Sequence, residues 1–202
     1  MEMVSPASDP KFLASKQHGV LAQLSVLDQV VKLCKQHRVA VDVGAHVGTW
    51  TVPLSIRFEH VLAFEPQPEN FECLRQNVVS SRVEIRQVAL ADREGTCDIA
   101  SHAGGNSGCF RAAPGTSTLV ERLDMYSLRG VDLIKIDVEG YEGLVLIGAA
   151  ETLEHSSPVI IFEDNGVGPK FYGDSWVDPK TVLAGLGYKR VRRIFKDEVW
   201  TR

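Results

Sequence analysis

The segment at residues 39–48 constrains the fold of this chain more than any other stretch. It reads VAVDVGAHVG, an apolar run with an acid near its end and two glycines four residues apart. The pattern predicts a buried parallel strand that turns sharply into a helix, with backbone left bare for a ligand. Gly44 and Gly48 do not match the Gly-x-Gly-x-x-Gly fingerprint of dinucleotide sites, and Asp42 would repel a phosphate. S-adenosylmethionine carries an ammonium and a sulfonium, and it therefore fits a turn with a carboxylate better than a nucleotide phosphate does.

Length, charge and cysteine usage narrow the class of protein. At 202 residues we expect one domain over 1–202, with a lead-in and helix at 1–37 before the core at 38–202. The formal charge of −4 argues against a general nucleic-acid binder, since such domains are usually basic. The four cysteines include no Cys-x-x-Cys pair, which favours reduced thiols in a cytoplasmic protein. We find no signal-peptide pattern and no apolar stretch long enough to span a bilayer.

Apolar segments of strand length alternate with segments of helical periodicity along most of the chain. Strands are predicted at 39–43, 60–64, 83–88, 131–137 and 158–163, with a closing hairpin at 188–195 and 198–201. Helices are predicted at 20–34, 49–57, 142–153 and 179–186, with one more that ends near 79. This alternation predicts an α/β fold, a three-layer sandwich in which helices cover both faces of a mainly parallel sheet.

Two internal stretches are less regular. Residues 92–130 are interpreted as short strand-like pieces around a glycine-rich loop at 104–108. Residues 165–177 are interpreted as a loop that carries three large aromatic side chains, Phe171, Tyr172 and Trp176. Both loops are candidates for a lid or an acceptor wall, and the alternative is that the aromatic residues only pack the loop onto the body.

Residues at the carboxyl ends of the predicted strands are candidates for ligand binding, because open parallel sheets bind ligands there. The first strand ends at Asp42 and Gly44, and the second ends at Glu65, 23 residues after Asp42. A carboxylate at that distance suits hydrogen bonds to two ribose hydroxyls. Val88 and Ala89, after the third strand, offer a small apolar surface for a flat adenine. Acids at such turns also cap helices, which is the alternative reading.

Four segments resemble the FkbM family of S-adenosylmethionine-dependent methyltransferases. They are DVGAHVG at 42–48, FEP at 64–66, VAL at 88–90 and LIKIDVEGYE at 133–142, and the last is the most specific. The resemblance implies a seven-stranded, Rossmann-like class I methyltransferase sheet in the order 3-2-1-4-5-7-6, with the last strand antiparallel. It also implies methylation of a hydroxyl oxygen on a small molecule, sugar or glycan.

The strand-end positions and the resemblance together assign the site residues. Cofactor binding is expected of Asp42, Gly44, Ala45, His46, Gly48, Glu65, Pro66, Val88, Ala89 and Asp137. Catalysis is expected of Asp137, Lys135 and Glu139. The family usually has an asparagine where this chain has His46.

Lys135 and Asp137 stand two residues apart in the fourth predicted strand, so their side chains share a face. A lysine in a buried strand is costly unless it is paired or reaches water, and pairing would keep Asp137 ionised. We expect Asp137 to face the transferred methyl group or the acceptor oxygen, with Lys135 holding it. The alternative is an ion pair with a structural role alone.

A hydroxyl acceptor must lose a proton, and a positioned base contributes about 10²–10⁴-fold to such a step. The candidates, in falling order, are Asp137, Glu139, His102 and Glu163. Asp137, Glu163 and Asp164 could instead share Mg²⁺, which takes oxygen ligands. No metal ligand is assigned, since acids at this edge have other uses.

The expected partner is a hydroxylated small molecule or glycan, and a homodimer is compatible with the sequence. A nucleic-acid methyltransferase is the first alternative function because of the basic run at 189–196, although the chain is acidic overall. A non-catalytic partner protein that binds S-adenosylmethionine is the second, and a nicotinamide-dependent dehydrogenase is the third.

Overall fold

Two β-sheets form the framework of the protein in a computed structural model that describes residues 3–6, 23–101 and 110–202. The large sheet consists of β1 (Val39–Val43), β2 (His60–Phe64), β3 (Val83–Arg86), β7 (Val131–Ile136), β8 (Val159–Glu163), β9 (Lys189–Ile194) and β10 (Asp197–Thr201). The small sheet consists of β4 (Ala89–Leu90), β5 (Gly95–Ser101) and β6 (Phe110–Glu121).

Seven helices accompany the strands in the part of the chain that the structure describes. They are α1 (described over 23–31), α2 (Thr51–Arg57), α3 (Pro68–Asn77), α4 (Glu142–Ile147), α5 (Ala150–Ser156), α6 (Gly168–Tyr172) and α7 (Pro179–Gly185). Short 3-10 turns cover Leu123–Tyr126 and Gly173–Ser175. Of the helices in these described ranges, none combines the length and apolar character needed to cross a bilayer.

The large sheet has the predicted topology. Its order is β3-β2-β1-β7-β8-β10-β9, which is 3-2-1-4-5-7-6 when its strands are numbered along the chain. The pairs β1–β2, β1–β7, β2–β3 and β7–β8 are parallel, whereas β10 is antiparallel to both β8 and β9. The expected fold class and the closing hairpin are therefore confirmed.

Alternate residues of the central strands fill two separate cores, one on each face of the large sheet. Val41 and Val43 of β1 pack with residues of α4, α5 and α7, whereas Ala40 packs with residues of α1 and α2. All six residues of β7 are buried, as expected for a strand covered on both faces. Asp42 and Lys135 point to the same face as Ala40, because side chains alternate along a strand. Two polar residues thus lie beneath the carboxyl edge of the sheet.

The interpretation of 92–130 as short strand-like pieces was correct in part, since β5 (Gly95–Ser101) lies there, but the segment is more regular than expected. β5 and β6 form an antiparallel pair, and β4 joins β6 to complete the small sheet. Residues 114–117, with the sequence PGTS, form a bulge within β6, between the pairs Cys97–Thr118 and Asp98–Ala113. The loop at 104–108 and His102 lie outside the described residues.

The predicted helix over 142–153 is divided into α4 and α5. Helix α4 ends next to Gly148, where a Cβ atom would lie 1.9 Å from the carbonyl oxygen of Ala91. Only glycine allows this approach, and the chain bends there to bring the small sheet against the helices. The predicted loop at 165–177 is also more ordered than expected, since it contains α6 and a 3-10 turn.

Candidate active site

A cavity of about 710 Å³ opens at the carboxyl edge of β1, β2 and β7. Its size is in the range of small-ligand sites in proteins. Most of the predicted site residues line it: Gly44, His46, Glu65, Pro66, Val88, Ala89, Lys135, Asp137 and Glu139. Asp42, Ala45 and Gly48 are not among the lining residues.

The turn after β1 is held against the end of β7. The backbone N–H of Asp137 donates to the carbonyl oxygen of Val43 at 3.0 Å. Gly44 has φ +74°, and a Cβ atom at this position would lie 1.9 Å from the carbonyl oxygen of Asp137. A side chain here would thus be blocked by backbone as well as strained. The glycine brings the first and fourth strands of the large sheet together at the cavity.

Glu65 lies directly after β2 and is only 5% exposed. Its carboxylate accepts hydrogen bonds from the backbone N–H of His46 at 2.8 Å and of Gln67 at 3.0 Å. Burial raises the pKa of Glu65 to about 7, and these hydrogen bonds oppose the shift. The two N–H groups orient the carboxylate at the cavity wall.

Asp42 is fully buried below the cavity floor. It accepts a hydrogen bond from Thr51 Oγ1 at 2.6 Å, and Lys135 Nζ lies 3.2 Å from its other oxygen. The carboxylate therefore faces a hydroxyl and an ammonium, and it is not among the residues that line the cavity. Ala45 packs with Ala63 and Leu74 in a small apolar cluster under the same turn.

Lys135 is the cation at the centre of the site, with a side chain that is 8% exposed. Its ammonium donates to the carbonyl oxygen of Gly44 at 2.8 Å and lies 3.7 Å from Asp137 Oδ2. Burial opposes the charged form, but the carboxylates of Asp42 and Asp137 outweigh it and raise the pKa of Lys135 above its usual value. Lys135 thus remains charged and links Asp42, the turn at Gly44 and Asp137.

Three carboxylates meet at the edge of the cavity, with oxygen atoms of Asp137, Glu139 and Glu163 within 4.8 Å of one another. Such a group could hold a divalent cation. The side-chain amide of Asn165 donates to Glu139 at 3.1 Å and to Glu163 at 2.9 Å. Asp164, which was named above as an alternative Mg²⁺ ligand, pairs with Lys180 at 3.2 Å. The side chain of Asp164 leaves the cluster because neighbouring residues at the end of β8 point to opposite faces.

A second, smaller cavity of about 100 Å³ lies beside Lys135 and is also lined by Asp137, Glu163 and Asp197. Asp197 begins β10 and is paired with Glu163 across the strands. Burial and the charge of Asp137 raise the pKa of Glu163, and the same two causes raise the pKa of Asp197 to about 6. The sequence analysis missed Asn165 and Asp197, because only the β8–β10 pairing and the turn after β8 bring them to the cluster.

The structure places the predicted aromatic loop at the main cavity. Phe171 and Tyr172 line it, together with Tyr141, which the sequence analysis did not assign. Trp176 instead packs on α6, where a Cβ atom on Gly168 would lie 2.1 Å from its indole nitrogen.

Comparisons with known proteins identify the type of domain. A family model described as the methyltransferase FkbM domain matches residues 42–127 and 116–190. The hexuronic acid methyltransferase AglP of Haloferax volcanii is 28% identical over 137 residues, which cover 64% of this chain and 57% of that protein.

Two solved structures share the fold. The crystal structure of methyltransferase FkbM from Methylobacillus flagellatus gives a TM-score of 0.55 at 16% identity, over 82% of this chain and 43% of that one. Precorrin 8W decarboxylase from Methanobacterium thermoautotrophicum gives a TM-score of 0.54 at 14% identity, over 99% of this chain and 100% of that one. The chain thus spans little more than half of AglP and less than half of the crystallised FkbM protein.

Proposed function

The chain belongs to the FkbM family of S-adenosylmethionine-dependent methyltransferases, and on this premise we propose that it methylates a hydroxyl oxygen of a small molecule, sugar or glycan. The observation that carries the proposal is the position of Asp137. Its carboxylate is 38% exposed, lines the same cavity as Glu65 and is held by the ammonium of Lys135. The similarity to AglP, a hexuronic acid methyltransferase, supports a sugar-like acceptor.

The residues of the cavity suit S-adenosylmethionine. Gly44 lets the turn after β1 approach the end of β7 at the cavity, and Glu65 presents a carboxylate of the kind that accepts hydrogen bonds from a ribose diol. Val88 and Ala89 supply an apolar surface for a flat base. When bound, S-adenosylmethionine supplies a methyl group on a sulfonium, whose departure needs no proton donor.

Asp137 is the base that we assign to the acceptor hydroxyl. Glu139 and Glu163 each have an oxygen occupied by the amide of Asn165, whereas the contact of Asp137 with Lys135 is a longer ion pair of 3.7 Å. Asp137 accepts the hydroxyl proton, and the ammonium of Lys135 holds its carboxylate in place for that transfer.

Lys135 acts as a positioning residue. Its hydrogen bond to the carbonyl oxygen of Gly44 and its ion pair with Asp137 fix the base relative to the turn that lies at the cofactor end of the cavity. Alignment of this kind supplies a large part of the rate enhancement when the leaving group needs no further help.

Methyl transfer is tested with labelled S-adenosylmethionine and a panel of hydroxylated acceptors, with mass spectrometry to locate the new methyl group. The variant Asp137→Asn keeps the shape of the side chain but removes the base, and we expect turnover to fall about 100-fold or more while cofactor affinity changes little. Glu154→Gln, an exposed acid on α5, is the matched control and should retain full activity.

Two results would contradict the proposal. Cofactor binding without transfer to any hydroxyl would leave the chain as a cofactor-binding partner protein. Equal losses of cofactor affinity and turnover in Asp137→Asn would assign this carboxylate to cofactor binding alone.

A further inference from the structure

Two walls of the main cavity consist of residues to which we have assigned no role in cofactor binding or proton transfer. One wall consists of Tyr141, Phe171 and Tyr172, which we call the aromatic wall. The other consists of Ile99, Ala112 and Pro114 of the small sheet, which we call the strand wall. Both belong to the cavity that contains Asp137, so they are candidates for acceptor contacts.

The aromatic wall is held in a defined position. The rings of Tyr141 and Tyr172 meet edge to face, with centroids 4.9 Å apart. Gly140 permits this packing, since a Cβ atom there would lie 2.7 Å from the Cα of Gly168 and 2.9 Å from the ring of Tyr172. Phe171 is 42% exposed and keeps ring surface available at the cavity. An ordered surface of this kind can receive one face of a ring-shaped ligand.

The strand wall is shaped by the bulge in β6. Ile99 and Ala112 are paired across β5 and β6, and Pro114 lies at the start of the bulge. The carboxylate of Asp98 accepts the backbone N–H groups of residues 116–117 at 3.0 Å each, which stabilises the bulge. The small side chain of Ala112 leaves room beside Ile99. The wall is therefore apolar and shallow.

The described residues that line the cavity carry more negative than positive charge. Their charged side chains are the acids Glu65, Asp92, Glu94, Asp137 and Glu139 and the bases Arg93 and Lys135. Lys135 is paired with Asp42 and Asp137, and Arg93 lies 3.7 Å from Asp92. A carboxylate on the acceptor would thus enter a region where like charges predominate and the cations already have acidic neighbours, which disfavours its binding.

We propose that the acceptor is an uncharged hydroxylated ring, such as a neutral sugar, bound between the aromatic wall and the strand wall. The proposal rests on the proposed function and adds the acceptor class and the residues that select it. One face of the ring packs on Phe171, the other faces Ala112, and a hydroxyl at its edge reaches Asp137. The acids of the cavity disfavour the corresponding uronates, so this chain would differ from AglP, a hexuronic acid methyltransferase, in the charge of its acceptor.

The charge selectivity is tested with neutral methyl hexopyranosides and the matching methyl hexopyranosiduronates as probes. We expect kcat/KM for methyl transfer to be at least about tenfold higher with the neutral ring, since a like-charge contact weakens binding by that order. Equal or faster reaction of the uronates would overturn the proposal. So would the absence of any reaction with the neutral rings in a protein that binds S-adenosylmethionine and methylates other hydroxyls, a result that leaves the proposed function intact.

The two walls are tested with one variant each. Phe171→Ala removes ring surface from the aromatic wall and Ala112→Leu enlarges a side chain of the strand wall, and each should raise KM for the neutral glycoside about tenfold while the Kd of S-adenosylmethionine is unchanged. Phe195→Ala is the matched control, because Phe195 is 81% exposed in the β9–β10 turn and does not line the cavity. Because the side chain of Phe171 is exposed, Phe171→Ala should leave the protein folded. An unchanged KM in this variant would exclude the aromatic wall from the acceptor site.

Discussion

Lys135 joins the turn after β1 to the end of β7, because its ammonium lies 2.8 Å from the carbonyl oxygen of Gly44 and 3.7 Å from Asp137 Oδ2. The same ammonium is 3.2 Å from the fully buried Asp42. A single side chain therefore neutralises a buried acid, supports the backbone of the turn and orients the carboxylate that faces the cavity.

Replacement of this lysine should destabilise the protein. In Lys135→Met the carboxylate of Asp42 would remain buried with the hydroxyl of Thr51 but without a cation, and breaking a buried pair in this way costs about 3–5 kcal/mol. Chemical denaturation measures the loss, with Lys32→Met, an exposed lysine after α1, as the control. Addition of Asp42→Asn to the variant should restore part of the stability. A free energy of unfolding equal to that of the parent protein would show that the pair contributes nothing.

Gly44 should tolerate no side chain. In Gly44→Ala a positive φ and a contact of 1.9 Å with backbone would both have to be relieved, and we expect a loss of about 2–4 kcal/mol in stability. Cofactor affinity, measured by calorimetry, should fall as well because the turn must move. Gly185→Ala is the control, since a Cβ atom there meets nothing within 4 Å and alanine is the better helix former. An unchanged melting temperature in Gly44→Ala would contradict the described approach of β1 and β7.

Side chains that follow directly from strand position were predictable, whereas those that depend on which strands pair were not. The pattern of apolar runs placed Glu65 and Asp137 at strand ends, and both line the cavity. The burial of Asp42 could not be read from its own segment, because it depends on Lys135, 93 residues later in the chain. The bulge at 114–117 was also unpredictable, since it forms only when Asp98 lies opposite to accept its N–H groups.

Glu65 should contribute most of the orientation of the ribose. Glu65→Ala removes a carboxylate that two backbone N–H groups hold at the cavity wall, and loss of hydrogen bonds to a charged group costs about 1.5–3 kcal/mol of cofactor affinity. Isothermal titration with S-adenosylmethionine measures this loss. Glu59→Ala, an exposed acid between α2 and β2, should bind like the parent protein. Identical affinities of the two variants would remove Glu65 from the cofactor site.

Glu65 should also make the stability of the ligand-free protein depend on pH. Its pKa is about 7 in the native state against 4.5 ordinarily, so between these values the unfolded chain binds fewer protons than the native one. The free energy of unfolding attributable to this group therefore falls by about 2–4 kcal/mol as the pH rises from about 4.5 to about 7, and is constant on either side.

The measurement compares Glu65→Gln with the parent protein across this pH range, so that the contributions of other groups cancel. Glu142, whose pKa burial also raises to about 7, is present in both proteins, so its contribution cancels in the comparison. Parallel curves of stability against pH would show that Glu65 ionises in the native protein as it does in the unfolded chain.

Asn165 connects the acids at the cavity edge to the helix that carries the aromatic wall. Its amide group donates to Glu139 and Glu163, and its oxygen accepts the backbone N–H of Val167 at 3.0 Å, directly before α6. Asn165→Ala should lower kcat and raise KM for the acceptor several-fold, because both the acids and the helix lose a partner, while cofactor affinity is retained. Asn165→Asp should be more damaging, since it adds a fourth carboxylate to three that already lie within 4.8 Å.

The pH profiles of the two variants distinguish repulsion by an added carboxylate from the loss of the hydrogen bonds that Asn165 makes. If repulsion dominates, Asn165→Asp should recover activity at lower pH, where one carboxylate of the cluster is protonated, whereas Asn165→Ala should show a uniform loss across the profile. Steady-state kinetics from about pH 5 to about pH 9 distinguishes the two patterns. Identical profiles in the parent protein and both variants would mean that Asn165 supports neither the base nor the acceptor wall.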